Sequence, residues 1–144
     1  MIRAIAALAA LLVGSSVGPW VPSAAAADGD RTVRFQDGQI RCLLSADFEG
    51  RGFPAAVCGR TDGKPFMVAP AKQNLSVVQG GGELYFIQGA IPGPESGDVV
   101  LGTGQTYSAN GWTITTEELR ALIYYDIGRH GVRINPVEVA PIWL

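Results

Sequence analysis

The chain has 144 residues, 47% hydrophobic and 17% charged, with 11 basic against 13 acidic side chains. The basic residues are scattered, never three within five positions, which argues against nucleic acid, whose phosphates need clustered cations, and against an anionic membrane surface. One histidine and two widely spaced cysteines fall short of the four closely spaced ligands of a structural zinc site, so no metal or other cofactor is expected.

The first thirty residues read "MIRAIAALAALLVGSSVGPWVPSAAAADGD". A single charge at Arg3 precedes the apolar run Ala4 to Val13, and small residues end at Ala27 before Asp28. That order is the n-region, h-region and cleavage site of a secretory signal peptide. Ten apolar residues are too few for a membrane-spanning helix, which takes about 20. Residues 1–27 are therefore expected to be removed, leaving a single domain over 28–144 with no transmembrane anchor, secreted or held in the cell envelope. Losing Arg3 moves the formal net charge from −2 to about −3.

Next come short runs rich in Val, Ile, Thr, Tyr and Phe, separated by Gly, Pro, Asn and Asp: "RTVRFQ" (31–36), "QIRCLLS" (39–45), "AAVCGR" (55–60), "PFMVAP" (65–70), "LSVVQ" (75–79) and "ELYFIQG" (83–89). After them stand "DVVLG" (98–102), "GWTIT" (111–115), "LIYY" (122–125), "VRIN" (132–135) and the closing "VEVAPIWL". Such spacing predicts an all-β sandwich or small barrel. Tight hairpins are expected at "QDGQ" (36–39), where Asp-Gly suits a type I′ turn, and at "QGGGE" (79–83). "AIPGPESGD" (90–98) reads as an exposed loop.

Cys42 and Cys58 are the only cysteines, and an exported chain meets an oxidising compartment, where such a pair becomes a disulfide. The intervening "ADFEGRGFP" holds turn residues, so the two β runs can pair as a hairpin or face one another across a core; either arrangement allows the bridge. A redox motif would be Cys-x-x-Cys. Closing the intervening loop of about 15 residues is worth roughly 3 kcal/mol in the chain-entropy account.

One segment gives conflicting signals. "TTEELRALIYYDIG" (115–128) offers a capping box, Thr115 with Glu118, and places Leu119, Leu122, Ile123 and Ile127 on one helical face with Gly128 as a stop. Yet "LIYY" is rich in β-formers. Local rules favour a short helix over 116–127.

The stretch from Leu101 to Val139 contains "GQTY" (104–107), "GWTI" (111–114) and "RHG" (129–131), and upstream stand "CLLSAD" and "VCGR". In these elements the chain resembles a group of small exported uncharacterised mycobacterial proteins that carry two cysteines. The resemblance implies a hairpin across Asp126–His130, and hence a strand at Ala121–Tyr125 in place of the helix, although "ELRALIYYD" departs from the group's pattern. It implies no activity.

No catalytic constellation emerges. His130 is the sole histidine, with Asp126 four residues before it and Glu138 eight after, and a Gly-x-Ser-x-Gly elbow is absent. Glu117 and Glu118 are sequence neighbours that do not face one another, as a glycosidase pair must; they read as a solvated pair. "LGTGQT" and "QGGGE" lack the Gly-Lys-Ser/Thr ending of a phosphate loop, and "NLS" (74–76) is a glycosylation sequon only on paper. Trp112, Trp143, Tyr85, Phe86, Tyr107, Tyr124 and Tyr125 supply the bulk of a small core. Tyr124 and Tyr125 point to opposite faces of a strand, so the pair is the candidate contact site. The reading this supports is a non-enzymatic binding module for an extracellular or envelope partner. A carrier with a pocket inside the β fold is the alternative, and a small hydrolase built on His130 ranks last.

Overall fold

The computed structural model describes residues 29–144; the expected leader and its Ala27/Asp28 cut lie outside the described residues. Among the described residues eleven strands form two sheets. The first holds β1 (Arg31–Phe35), β2 (Ile40–Ser45), β3 (Ala55–Arg60), β4 (Leu75–Gln79), β5 (Leu84–Ile87) and β6 (Val99–Val100), in the order β5-β4-β3-β2-β1-β6. The second is an antiparallel meander of β7 (Thr106–Ala109), β8 (Trp112–Thr116), β9 (Ala121–Tyr125), β10 (His130–Ile134) and β11 (Val139–Trp143). The expected all-β, disulfide-stapled architecture is present as a sandwich.

Period-2 alternation builds the interior. Val33, Phe35, Ile40, Leu44 and Val78 of the first sheet meet Trp112, Ile114, Ile123, Val132 and Ile134 of the second in one buried cluster. Cys42 and Cys58 face each other across β2 and β3 with Cα atoms 4.1 Å apart, and their disulfide is part of that cluster. Of the two arrangements open to the cysteines, the hairpin forms. The indole N–H of Trp112 donates to the Ser45 carbonyl (3.1 Å), tying the sheets together at one end.

All six residues of β2 are buried, which one-sided burial cannot produce. The outer face of the first sheet carries a second apolar cluster, Leu43, Ala55, Val57, Leu75 and Val77, capped by Phe48, Phe53 and Ile91 from the connections. Residues 88–98 run from β5, one edge of the sheet, to β6, the other, over that face. The expected loop at 90–98 is thus a strap: mostly exposed, but fastened from below.

Two local expectations meet a different outcome or a decision, and one strand was not expected. "PFMVAP" is not a strand: Pro65 and Pro70 remove backbone donors, and the segment turns so that Phe66 plugs the core while Met67 is exposed. "TYSA", which was not among the expected runs, pairs with β8 at the sheet edge as β7. Residues 121–125 form β9, and the helix over 116–127 does not form. Thr115 sits in β8 opposite Thr106, and the 117–120 turn closes through Glu117 N–H to the Arg120 carbonyl (2.7 Å). A helix would gather Leu119 and Ile127 with Ile123; instead Ala121 and Ile123 fill core positions while Leu119 and Ile127 face solvent.

Candidate functional site

Four connections converge at one end of the sandwich around an open groove of about 670 Å³, lined by residues 36–39, 100–103, 116, 118, 119 and 135–137. Each has a local cause. The β1–β2 turn takes positive φ at Asp37 (57°) and Gly38 (80°), as the Asp-Gly pair predicts. Asn135 closes the β10–β11 turn by accepting the N–H groups of Val137 (2.8 Å) and Glu138 (2.9 Å) on its side-chain oxygen. Gln105 accepts the Gly102 N–H (2.6 Å), and Thr116 donates its hydroxyl to the Gly102 carbonyl. Finally the Gln36 amide donates to the Glu117 carbonyl (3.1 Å), bracing one sheet against the other across the groove. The walls at 36–39, 100–105 and 116–118 are hydrogen-bonded to one another, which braces the groove.

Its chemistry is apolar and acidic. Val100, Leu119 and Val137 line it at 64%, 78% and 52% exposure. Met67 donates its N–H to the Val137 carbonyl (2.8 Å), which brings two more exposed side chains, Met67 and Val68, alongside. Of the eight exposed large hydrophobics among the described residues, three line the groove and two more stand in the segment bonded to Val137. Asp37 and Glu118 also line the groove; the lining contains no Lys, Arg or His. Glu117 pairs with Arg120 at 2.8 Å, whereas no ion pair engages Asp37 or Glu118 among the described residues.

The residues singled out from sequence lie elsewhere. Tyr125 turns inward against Trp112, ring centroids 5.1 Å apart, while Tyr124 faces outward beneath the Arg129 guanidinium, 4.9 Å from its ring. His130 stacks on Trp143 (5.1 Å, 11° between planes), and a Cβ added at Gly82 (φ +102°) would lie 2.7 Å from its Nδ1. That accounts for part of the "QGGGE" turn: glycine lets the first sheet's hairpin close onto the second sheet's imidazole. β10 separates His130 from the groove by about 15 Å at some 3.3 Å per residue. Asp126, its nearest acid in sequence, accepts the Thr113 hydroxyl (2.7 Å). Among the described residues no three His, Cys, Asp or Glu side chains converge as a metal site, and no helix is long and apolar enough to cross a membrane.

Sequence reasoning missed the polar hub under the strap. Arg41, on the outer face of β2, forks onto Asp98 (Nε 2.9 and 3.1 Å, Nη2 3.0 Å) and donates to the carbonyls of Ile91 (3.0 Å) and Gly93 (2.9 Å). The Asp98 side chain is 0% exposed. Arg34 Nε stands 3.3 Å from the same carboxylate but out of line for a hydrogen bond, so it contributes charge alone. Burial by itself would raise the Asp98 carboxyl; hydrogen bonds from Arg41 and Thr32 and the charges of Arg41 and Arg34 outweigh it and hold the group below the ordinary carboxylate value. The sequence held no signal for it: a charged residue alternating with core positions in "QIRCLLS" reads as facing solvent, and only the strap over that face buries it.

No known family, curated protein or solved structure matches the chain.

Proposed function

We propose that this is an exported, non-enzymatic binding module that holds an extracellular or envelope partner in the groove at the loop end of its sandwich. The observation that carries the reading is the grouping of Val100, Leu119 and Val137, each more than half exposed, in one concavity, with the exposed Met67 hydrogen-bonded to the Val137 carbonyl beside it. Large apolar side chains grouped on a surface mark contact sites, while single ones do not. Loops on a rigid scaffold are where binding function concentrates. The carrier alternative requires room between the sheets, and the inward positions there are filled by Phe35, Trp112, Ile114, Ile123 and Ile134, each buried.

A photo-crosslinking residue at position 119, compared with one at Ser96 on the exposed part of the strap, tests the reading on the mature protein secreted by its own kind of host. The expected result is a discrete crosslinked species from position 119 alone, lost with Val137→Ser while the melting temperature stays within a degree or so. Equal labelling from both positions overturns it. Native mass spectrometry of the same sample separates the carrier: a mass excess that disappears on denaturation identifies an enclosed small molecule.

A further inference from the structure

The groove borders the open edge of the first sheet, and this sets the kind of partner it fits. β6 runs parallel to β1, and the Leu101 N–H donates to the Arg34 carbonyl (2.8 Å). Backbone groups alternate sides along a strand, so the amide and carbonyl of Val100 point the other way, toward the free edge. Neither is bonded among the described residues. Beside that edge stand two carboxylates without cations, Asp37 and Glu118, and three exposed apolar side chains, Val100, Leu119 and Val137.

Resting on the groove being the binding site, we infer that its partner is an extended polypeptide segment in which Lys or Arg alternates with apolar residues, laid along the β6 edge. Its main chain meets Val100, its cations meet Asp37 and Glu118, and its apolar side chains cover Leu119 and Val137. Strand addition at a sheet edge supplies affinity through the backbone and selects partners through alternate side chains. Complementary charge supplies orientation and excludes acidic segments. A small organic cation would satisfy the carboxylates while leaving the sheet edge and the apolar rim uncovered.

The test is a titration of the mature, oxidised, 15N-labelled protein with three blocked peptides of equal length, repeats of Val-Lys-Val-Arg, Val-Gln-Val-Gln and Val-Glu-Val-Glu, and with spermidine. The basic peptide is expected to shift the amides of 36–39, 100–103, 116–119 and 135–137. Its affinity should fall at least about tenfold with Asp37→Asn combined with Glu118→Gln, and several-fold from low salt to about 0.5 M. Both substitutions are on the exposed rim, and an unchanged melting temperature shows that the fold is intact. Equal binding of the neutral peptide in the groove overturns the charge assignment and leaves the groove reading standing. Spermidine matching the peptide overturns the polypeptide assignment. Failure of the basic peptide to shift the groove at millimolar concentration overturns the inference altogether, and the crosslink from position 119 then decides separately whether the groove binds anything.

Discussion

Asp98 shows how one side chain can govern a whole connection. It neutralises Arg41 where both are buried, and Arg41 in turn holds the strap by the carbonyls of Ile91 and Gly93. Removing one partner of a buried pair leaves the other charge unpaired, at a cost of about 3–5 kcal/mol. Asp98→Asn should therefore lower unfolding stability by that order, measured by urea titration at pH 7. The same carboxyl makes the effect pH-dependent. Its folded value lies below the unfolded one, near 3.9, so its contribution is complete above about pH 4 and is lost as pH falls through the folded value. Repeating the titration near pH 3 should find wild type and Asp98→Asn closer together than at pH 7; a constant gap would refute the linkage. Gly131 is a second such residue. It lies in β10 opposite Tyr124, and a Cβ there would run into the Ile123 carbonyl and sit 2.6 Å from the Tyr124 Cα, backbone atoms that no rotamer change can move away. Gly131→Ala should cost about 1–3 kcal/mol or more, read as a fall in melting temperature, whereas Gly97→Ala, with open space around it, should be nearly neutral.

Among the elements, the β2–β3 hairpin is the one with covalent reinforcement. Its disulfide closes a short loop in the unfolded chain, and reduction, or Cys42→Ser with Cys58→Ser, should lower the urea midpoint by the equivalent of about 3 kcal/mol. An unchanged midpoint would mean that the unfolded chain gains nothing from the missing constraint. The strap is the opposite kind of element, irregular and held by the guanidinium groups of Arg41 and Arg34, by the Asn74 side chain at Gly89, and by one apolar side chain, Ile91. Ile91→Ser should raise amide hydrogen exchange around 43, 57, 75 and 77 on the outer face of the first sheet while leaving β8–β10 protected, because the second apolar cluster is separate from the main one. β9 carries the lesson about propensity. A capping box and a 3.6-residue pattern are both present in 115–128, but β8 and β10 each lack a neighbour unless 121–125 is extended. Two ladders of backbone hydrogen bonds and the burial of Ala121 and Ile123 outweigh a preference worth tenths of a kcal/mol per residue.

At the scale of the whole molecule, the sandwich has two unlike ends. One closes through Trp112 to Ser45, Tyr125 against Gly80 and His130 against Gly82; the other opens into the groove. Val100 and Val137 are exposed and belong to neither core cluster, so Val100→Ser with Val137→Ser should leave stability within about 0.5 kcal/mol of wild type while abolishing the crosslink from position 119. A large loss of stability from that double change would mean that the rim is structural.

What the residues determine by themselves is local or nearly so. Short runs of β-forming residues mark nine of the eleven described strands, β7 and β9 excepted, Asp-Gly and the triple glycine mark two hairpins, and a lone cysteine pair marks the staple, because each of these signals is confined to one run or one turn. The tertiary structure alone decided the rest. "PFMVAP" is a short apolar run of the kind that marks a strand, but only the assembled core shows Phe66 as its plug. Arg41 reads as a surface charge until the strap from 57 residues further along places Asp98 on it. The groove gathers residues from 36 to 137, and no window of sequence contains it. Contacts of that span are set by which strands neighbour which, a choice made by the burial of two shared apolar faces and not by any segment's own preference.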